Sequence, residues 1–178
     1  MDEAAWIQQA TEGNRAAFGR LVQLYQTPVY NLAYRMTGDR MEAEDAAQET
    51  FLRAFQNLGR YDPQRPFRHW LLSITAHHCV DRLRRRRPTV SLDEVVLTAR
   101  CHDPEMAVVR RETQERVQRL LLELPPTDRA AVILLYWYDC SYEEIAQALS
   151  MTVSAVKSRL HRARRALAAV MAEETNGL

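Results

Sequence analysis

Ser141-Tyr142-Glu143-Glu144-Ile145-Ala146-Gln147-Ala148-Leu149-Ser150-Met151-Thr152-Val153-Ser154-Ala155-Val156-Lys157-Ser158-Arg159-Leu160-His161-Arg162-Ala163-Arg164 is the stretch on which the fold turns. Ser141 with Glu144 three residues on is a capping box, which opens a short helix packed through Ile145, Ala146 and Leu149. Ser150-Met151-Thr152 makes a tight turn into a longer helix that runs to about Met171 and packs through Val156, Leu160, Ala163, Leu167 and Val170. Short helix, three-residue turn and longer basic helix are the proportions of a helix-turn-helix that reads DNA. At about 100° per residue, Ser158, His161 and Arg165 lie opposite Val156, with Lys157 and Arg162 bordering them. Arg and Lys donate to guanine N7 and O6, and Ser serves base or phosphate. Arg159 and Arg164 sit on the flanks, where phosphate contact is natural. The plain solvated face of a bundle helix usually mixes signs, and this face has no carboxylate, so DNA recognition is the stronger reading.

Upstream, every periodic segment is helical and no alternating strand is found. Phe18, Leu21, Val22, Tyr25, Val29, Leu32, Ala33 and Met36 recur every three or four residues, and Gly38 ends that run. Asp39 caps a second helix with the inner stripe Ala43, Ala46, Ala47, Thr50, Ala54 and Leu58. Pro66 is placed to open a third helix, with Phe67, Trp70, Leu71, Ile74 and His78 on one face, running into Arg84–Arg87 before Pro88 stops it. Residues 89–103 are aperiodic and read as a linker. Asp103-Pro104 restarts a helix with the stripe Met106, Val109, Thr113, Val117, Leu120 and Leu124, ended by Pro125-Pro126. Thr127 is expected to cap the next helix, through Tyr138. The sequence therefore predicts an all-α protein of two small helical domains, 1–88 and 104–172, joined by the linker 89–103 and followed by a tail, 173–178.

The length of 178 residues suits one ordinary domain or two small ones. The net charge of +1 conceals an alternation along the chain. Residues 1–59 carry −3, residues 60–88 carry +6, residues 89–149 carry −5 and residues 150–171 carry +5. Two basic blocks separated by acid suggest two footprints on a polyanion. No apolar run reaches the roughly 20 residues of a membrane helix, and Met1-Asp2-Glu3 lacks the basic start of a secretory signal. Cys79, Cys101 and Cys140 form no disulfide pattern and read as inert thiols of a cytoplasmic protein.

Other features are weaker. With Ala43 inward, Asp45, Gln48, Glu49, Leu52 and Gln56 face outward, and an exposed Leu52 among acids and amides marks a candidate protein-binding face. Tyr61, Arg65, Phe67, Arg68 and Trp70 mix aromatics with Arg as single-strand binders do, but the spacing of Phe67 and Trp70 assigns those two to the core. His77-His78-Cys79 cannot close on one ion, because neighbours on a helix diverge by about 100°. Cys101-His102 lacks a second pair. No metal, no cofactor and no catalytic constellation is expected, and His78 reads as a buried, hydrogen-bonded core residue.

Three segments taken together resemble bacterial extracytoplasmic-function RNA polymerase sigma factors. Glu44-Asp45-Ala46-Ala47-Gln48-Glu49-Thr50-Phe51-Leu52-Arg53-Ala54-Phe55 resembles their core-polymerase-binding segment. Pro66-Phe67-Arg68-His69-Trp70-Leu71 with Asp81-Arg82-Leu83-Arg84-Arg85 resembles their promoter-melting helix. Leu124-Pro125-Pro126 through Ala146, and Val156 through Arg164, resemble their C-terminal helix-turn-helix. The resemblance implies a region 2-like bundle and a region 4-like helix-turn-helix, in a specificity subunit of RNA polymerase with no catalysis of its own. It implies that Asp45, Gln48, Glu49, Leu52 and Arg53 bind the clamp coiled coil of the largest core subunit, with the flap as a second contact. It further implies minus-ten contacts by Tyr61, Arg65, His77, Arg82, Arg84 and Arg85. Minus-thirty-five contacts fall to Lys157, Ser158, Arg159, His161, Arg162 and Arg165. His77 stands where many relatives have Asn. The family also implies an anti-sigma partner, often membrane-anchored, for a chain that does not itself enter the membrane. Two other readings stay open on the residues alone: a stand-alone helix-turn-helix regulator, and a single-strand-binding module built on the Arg-rich third helix.

Overall fold

The computed structural model of the chain describes residues 2–85 and 104–176, so the expected linker 89–103, with Cys101 and His102, lies outside the described residues, as do Arg86 and Arg87. The described residues are all-α: α1 (Glu3–Thr11), α2 (Arg15–Thr37), α3 (Arg40–Asn57), a 3₁₀ turn (Leu58–Arg60), α4 (Phe67–Arg85), α5 (Pro104–Leu122), α6 (Pro126–Tyr138), α7 (Tyr142–Ala148) and α8 (Val153–Asn176).

Local chemistry accounts for most boundaries. The Asn14 side chain accepts from the N–H groups of Ala16 and Ala17 at 3.0 and 3.1 Å and starts α2. Gly38, at φ 73°, ends it. Asp39 accepts from Glu42 N at 2.8 Å and starts α3. The capping box of α7 is complete: Glu144 N donates to Ser141 Oγ at 3.2 Å, and Ser141 N donates to Glu144 Oε2 at 2.7 Å. Thr152 caps α8 through Ala155 N at 3.1 Å.

Three boundaries differ from the sequence reading. α1 was not anticipated, because its nine residues are too few to display a period. It is fixed by packing of Trp6, Ile7 and Ala10 and by the Tyr25 hydroxyl, which donates to Glu3 Oε1 at 2.6 Å. α6 begins one residue before Thr127, with Pro125 in the cap position and no side-chain cap. The Thr127 hydroxyl is instead taken by Arg84, whose Nη2 donates to it at 2.8 Å. α8 continues past Met171 to Asn176.

The two halves pack together, and α4 is the reason. Phe67 and Leu71 belong to one core cluster with α1, α2 and α3, while Leu72, Ala76, Cys79 and Val80 belong to a second that continues into α6, α7 and α8. At about 100° per residue, Leu72, Ala76, Cys79, Val80 and Leu83 span less than a third of the helix circumference, a second apolar stripe on the side of the helix opposite the one headed by Phe67. A helix apolar on two sides must be covered on both. α5 also approaches α2 closely: a Cβ at Gly38 would lie 2.9 Å from the Leu122 side chain.

Buried polar groups reinforce the junction. Arg129, 6% exposed, donates through Nη1 to the carbonyl of Met36 at the end of α2, and through Nη2 to the carbonyls of Leu122 and Leu124 at 2.9 and 3.0 Å. A cation there also meets the negative end of the α2 dipole. Gln118 Nε2 donates to the carbonyl of Arg35 at 3.2 Å, and the Tyr138 hydroxyl to that of Pro28 at 2.6 Å. Burial lowers Arg129 to about 10 and raises Tyr138 to about 12.

Candidate functional site

Three surfaces carry the candidate residues. The first is the outer face of α3, positioned by Ala43, Ala46 and Thr50 turning inward; Thr50 Oγ1 also meets Thr75 Oγ1 of α4 at 3.3 Å. Asp45, Gln48, Glu49 and Leu52 line an open depression of about 480 Å³, with His78 and Arg82 of α4 as its far wall. Leu52 is 52% exposed, an apolar contact within a polar rim. Arg53 Nε donates to Glu49 Oε1 at 2.6 Å, and this bond holds the Glu49 carboxyl below the usual carboxylate range. Arg82 Nη2 lies 3.5 Å from Asp45 Oδ2. The depression thus has fixed charges around an exposed apolar side chain and is open to solvent among the described residues.

His78 corrects the sequence reading. It is half-buried in the wall of this depression, and its Nε2 is shielded from solvent without a hydrogen-bond partner. Desolvation lowers its pKa, and the neighbouring Arg53 adds to that effect. Its place on the Phe67 stripe of α4 was legible. That it stands in the wall of an open depression was not.

The second surface holds the six candidate minus-ten residues, and the C-terminal half engages three of them. Arg65 donates through Nη2 to the Gln147 side chain of α7. His77 Nδ1 donates to the carbonyl of Ser73 at 2.9 Å, which leaves Nε2 to accept from Ser150 Oγ at 3.3 Å, in the turn between α7 and α8. Arg84 holds Thr127 of α6. Tyr61 is packed at 5.1 Å from the Phe67 ring and 5.2 Å from that of Trp70, with its hydroxyl on the carbonyl of Arg65; burial raises its pKa. Phe67 is buried as expected, whereas Trp70 is half-buried. Arg85 is exposed at the end of α4, and Arg82 faces Asp45.

The third surface is α8. Lys157, Ser158, His161, Arg162 and Arg165 are all exposed on it, opposite the buried Val156, Leu160 and Ala163. Arg159 is not free: its Nη1 donates to Oδ1 of the buried Asp128 at 2.6 Å, and Arg162 Nε lies 3.8 Å from Oδ2. Asp128, acidic and on α6, is the residue the sequence reading did not connect to this helix. Five of the six α8 residues are therefore exposed on one face, Arg162 among them within reach of Asp128, while Arg159 is set by α6. Arg164 Nε donates to the Tyr136 hydroxyl at 3.1 Å, and Lys157 Nζ lies 6.0 Å from the Tyr142 ring centre. Among the described residues, no helix is long and apolar enough to cross a membrane.

Comparison with known proteins agrees in both halves. Residues 21–89 match the Sigma-70 region 2 family and residues 114–167 match Sigma-70, region 4. The ECF RNA polymerase sigma factor SigW of Bacillus subtilis is 37% identical over 172 residues, spanning 90% of this chain and 92% of SigW. Among solved structures, CnrH of Cupriavidus metallidurans in complex with the cytosolic domain of CnrY superposes with a TM-score of 0.70 at 29% identity, over 95% of this chain and 96% of CnrH. RpoE of Bartonella quintana, in complex with the anti-sigma factor NepR, shares the fold at a TM-score of 0.64 and 19% identity, over 86% of this chain and 96% of RpoE.

Proposed function

The chain belongs to the extracytoplasmic-function family of RNA polymerase sigma factors and directs promoter-specific transcription initiation, and from that premise we propose a role for each surface. The α3 depression seats core polymerase: Leu52 supplies the apolar contact, Asp45, Gln48, Glu49 and Arg53 supply its polar rim, and His78 joins them. The clamp coiled coil of the largest subunit is the partner, with the flap as a second contact. Residues 1–88 open the promoter at the minus-ten element. Tyr61, Arg65 and His77 hold an extruded base, at an unstacking cost of a few kcal/mol. Arg82, Arg84 and Arg85 neutralise backbone phosphate. Residues 104–172 read the minus-thirty-five element through Lys157, Ser158, His161, Arg162 and Arg165, with Arg159 as a phosphate contact once Asp128 releases it. The chain contributes no catalysis of its own; the chemistry belongs to the polymerase.

The observation that carries this reading is the pairing of an open α8 face with minus-ten residues occupied by the other half. We read the closed arrangement as a resting form whose halves part before a promoter is opened. The solved complexes of CnrH with the CnrY cytosolic domain and of RpoE with the anti-sigma factor NepR support an anti-sigma partner here as well, in the cytoplasm and at the membrane when that partner is anchored there. The test is transcription by sigma-free bacterial core polymerase on a library of randomised promoters. Initiation from a two-element consensus is expected. Silence, with the protein binding duplex DNA as a dimer and failing to co-elute with core, would overturn the reading in favour of a stand-alone regulator.

A further inference from the structure

His69 of α4, Cys140 of the α6–α7 junction and Glu144 of α7 bring one nitrogen, one sulfur and one carboxylate oxygen to within 4.8 Å of one another. Cys140 is 3% exposed, and its thiol makes only a long contact, 3.8 Å, to the carbonyl of Tyr138. Glu144 is held from behind: Oε2 accepts from Ser141 N at 2.7 Å, which leaves Oε1 turned toward His69. His69 Nδ1 lies 2.8 Å from Oε1, and the nitrogen is shut off from solvent. At that distance the imidazole and the carboxylate pair with each other, closed off from solvent, and a cation would enter between them. Arg68, next to His69 on α4, is engaged over the Tyr138 ring at 5.3 Å.

Imidazole nitrogen, thiolate and carboxylate are ligand types that Zn²⁺ takes at about 2.0–2.3 Å, in a tetrahedron whose fourth corner is left to water. Donors within 4.8 Å need movements of about 1 Å to reach that geometry. We propose that His69, Cys140 and Glu144 form a binding site for a zinc-like divalent cation that fastens the N-terminal half to the C-terminal half. On binding, the Cys140 thiol releases its proton to solvent as the sulfur–metal bond forms; His69 coordinates as the neutral ring and Glu144 as the carboxylate. Because the ligands come from both halves, the ion binds the closed form and not the open one, and mass action shifts the equilibrium toward closure. Resting on the sigma-factor reading, closure keeps Arg65, His77 and Arg84 on Gln147, Ser150 and Thr127 and away from a promoter. The site is not visible in the sequence because His69 and Cys140 are separated by 71 residues, whereas the adjacent His77, His78 and Cys79 cannot converge.

The probe is Co²⁺ added to the full chain, reduced and freed of metal by chelation. One equivalent is expected to give a thiolate-to-cobalt charge-transfer band and the visible bands of a tetrahedral site, with Zn²⁺ bleaching both. His69→Gln should weaken binding about tenfold or more. Cys140→Ser should abolish the charge-transfer band while far-ultraviolet dichroism shows the fold intact. A band that survives Cys140→Ser and disappears with Cys101→Ser would overturn the assignment, as would unchanged affinity in His69→Gln. Hydrogen exchange gives the second readout: Zn²⁺ should slow amide exchange in α4 and α7 of the wild type and not of His69→Gln. Zn²⁺ should also lower transcription with wild-type protein and leave that of His69→Gln unaltered. Metal binding with no change in exchange or transcription would refute the fastening while leaving the promoter function untouched.

Discussion

Replacing Arg129 by Met removes the guanidinium and keeps most of its aliphatic volume. Three hydrogen bonds from a charged donor, at about 1.5 kcal/mol each on the low side, contribute about 4.5 kcal/mol. Against this stands burial of the charge, which takes its pKa from 12.5 to about 10; at 1.36 kcal/mol per unit this costs about 3.5 kcal/mol. Nε makes no bond that would add to the gain. Arg129→Met should therefore destabilise the chain by about 1 kcal/mol, a fall in Tm on the order of 2–4 °C for a protein of this size. The Met36 bond is the one that crosses between halves, so part of the loss should appear as uncoupling. Urea unfolding followed by fluorescence of Trp6, Trp70 and Trp137 measures both effects, as a lowered midpoint and a broadened or split transition. Unchanged or raised stability with a single sharp transition would refute the reasoning, and would mean that desolvation outweighs the three carbonyl bonds, as it does in some buried ion clusters.

Leu52→Asp should leave the melting temperature within about 1 °C and reduce core-polymerase binding at least tenfold, read by co-elution and fluorescence anisotropy, since an exposed side chain at the centre of a contact acts on binding alone. Arg162→Ala should weaken promoter binding by about 1–3 kcal/mol and relax base preference at one minus-thirty-five position, and Arg85→Ala should weaken binding across sequences and reduce its salt slope by about one; loss of activity with only one of them would favour a non-sigma reading. Ser141→Ala should cost about 1 kcal/mol in unfolding free energy, because the capping box has both bonds formed and α7 is only seven residues long. His78 is a base whose folded pKa is depressed by desolvation, so the unfolded chain binds its proton first. Stability should fall as pH drops through about 6.5 toward the folded pKa, and His78→Gln should remove that portion of the acid limb in urea titrations between pH 5 and 8.

Legibility in the sequence followed the range of the interactions concerned. The helix-turn-helix was readable because its determinants are local: Ser141 and Glu144 are three residues apart, and the α8 face follows from period alone. The α3 face was readable for the same reason. What escaped depended on packing between distant segments. Leu72, Ala76, Cys79, Val80 and Leu83 form a stripe as regular as the one beginning at Phe67, yet nothing in the sequence says that a second partner arrives from beyond residue 104. The interception of Arg84 by Thr127 and of His77 by Ser150 follows from that one docking event, whereas that of Arg159 by Asp128 comes from the packing of α6 on α8. His78 was misjudged because periodicity gives the side of a helix and not whether the side chains facing it close over it.

The two-sided α4 restricts the forms this protein can take when alone. Withdrawing α6 and α7 would wet an apolar strip that no residue on α4 can shield, and bare strips of that kind invite clumping and proteolysis. A free, outstretched molecule is thus a short-lived one. On the resting-form reading, the chain would pass from being folded on itself to being held by a partner with little time in between.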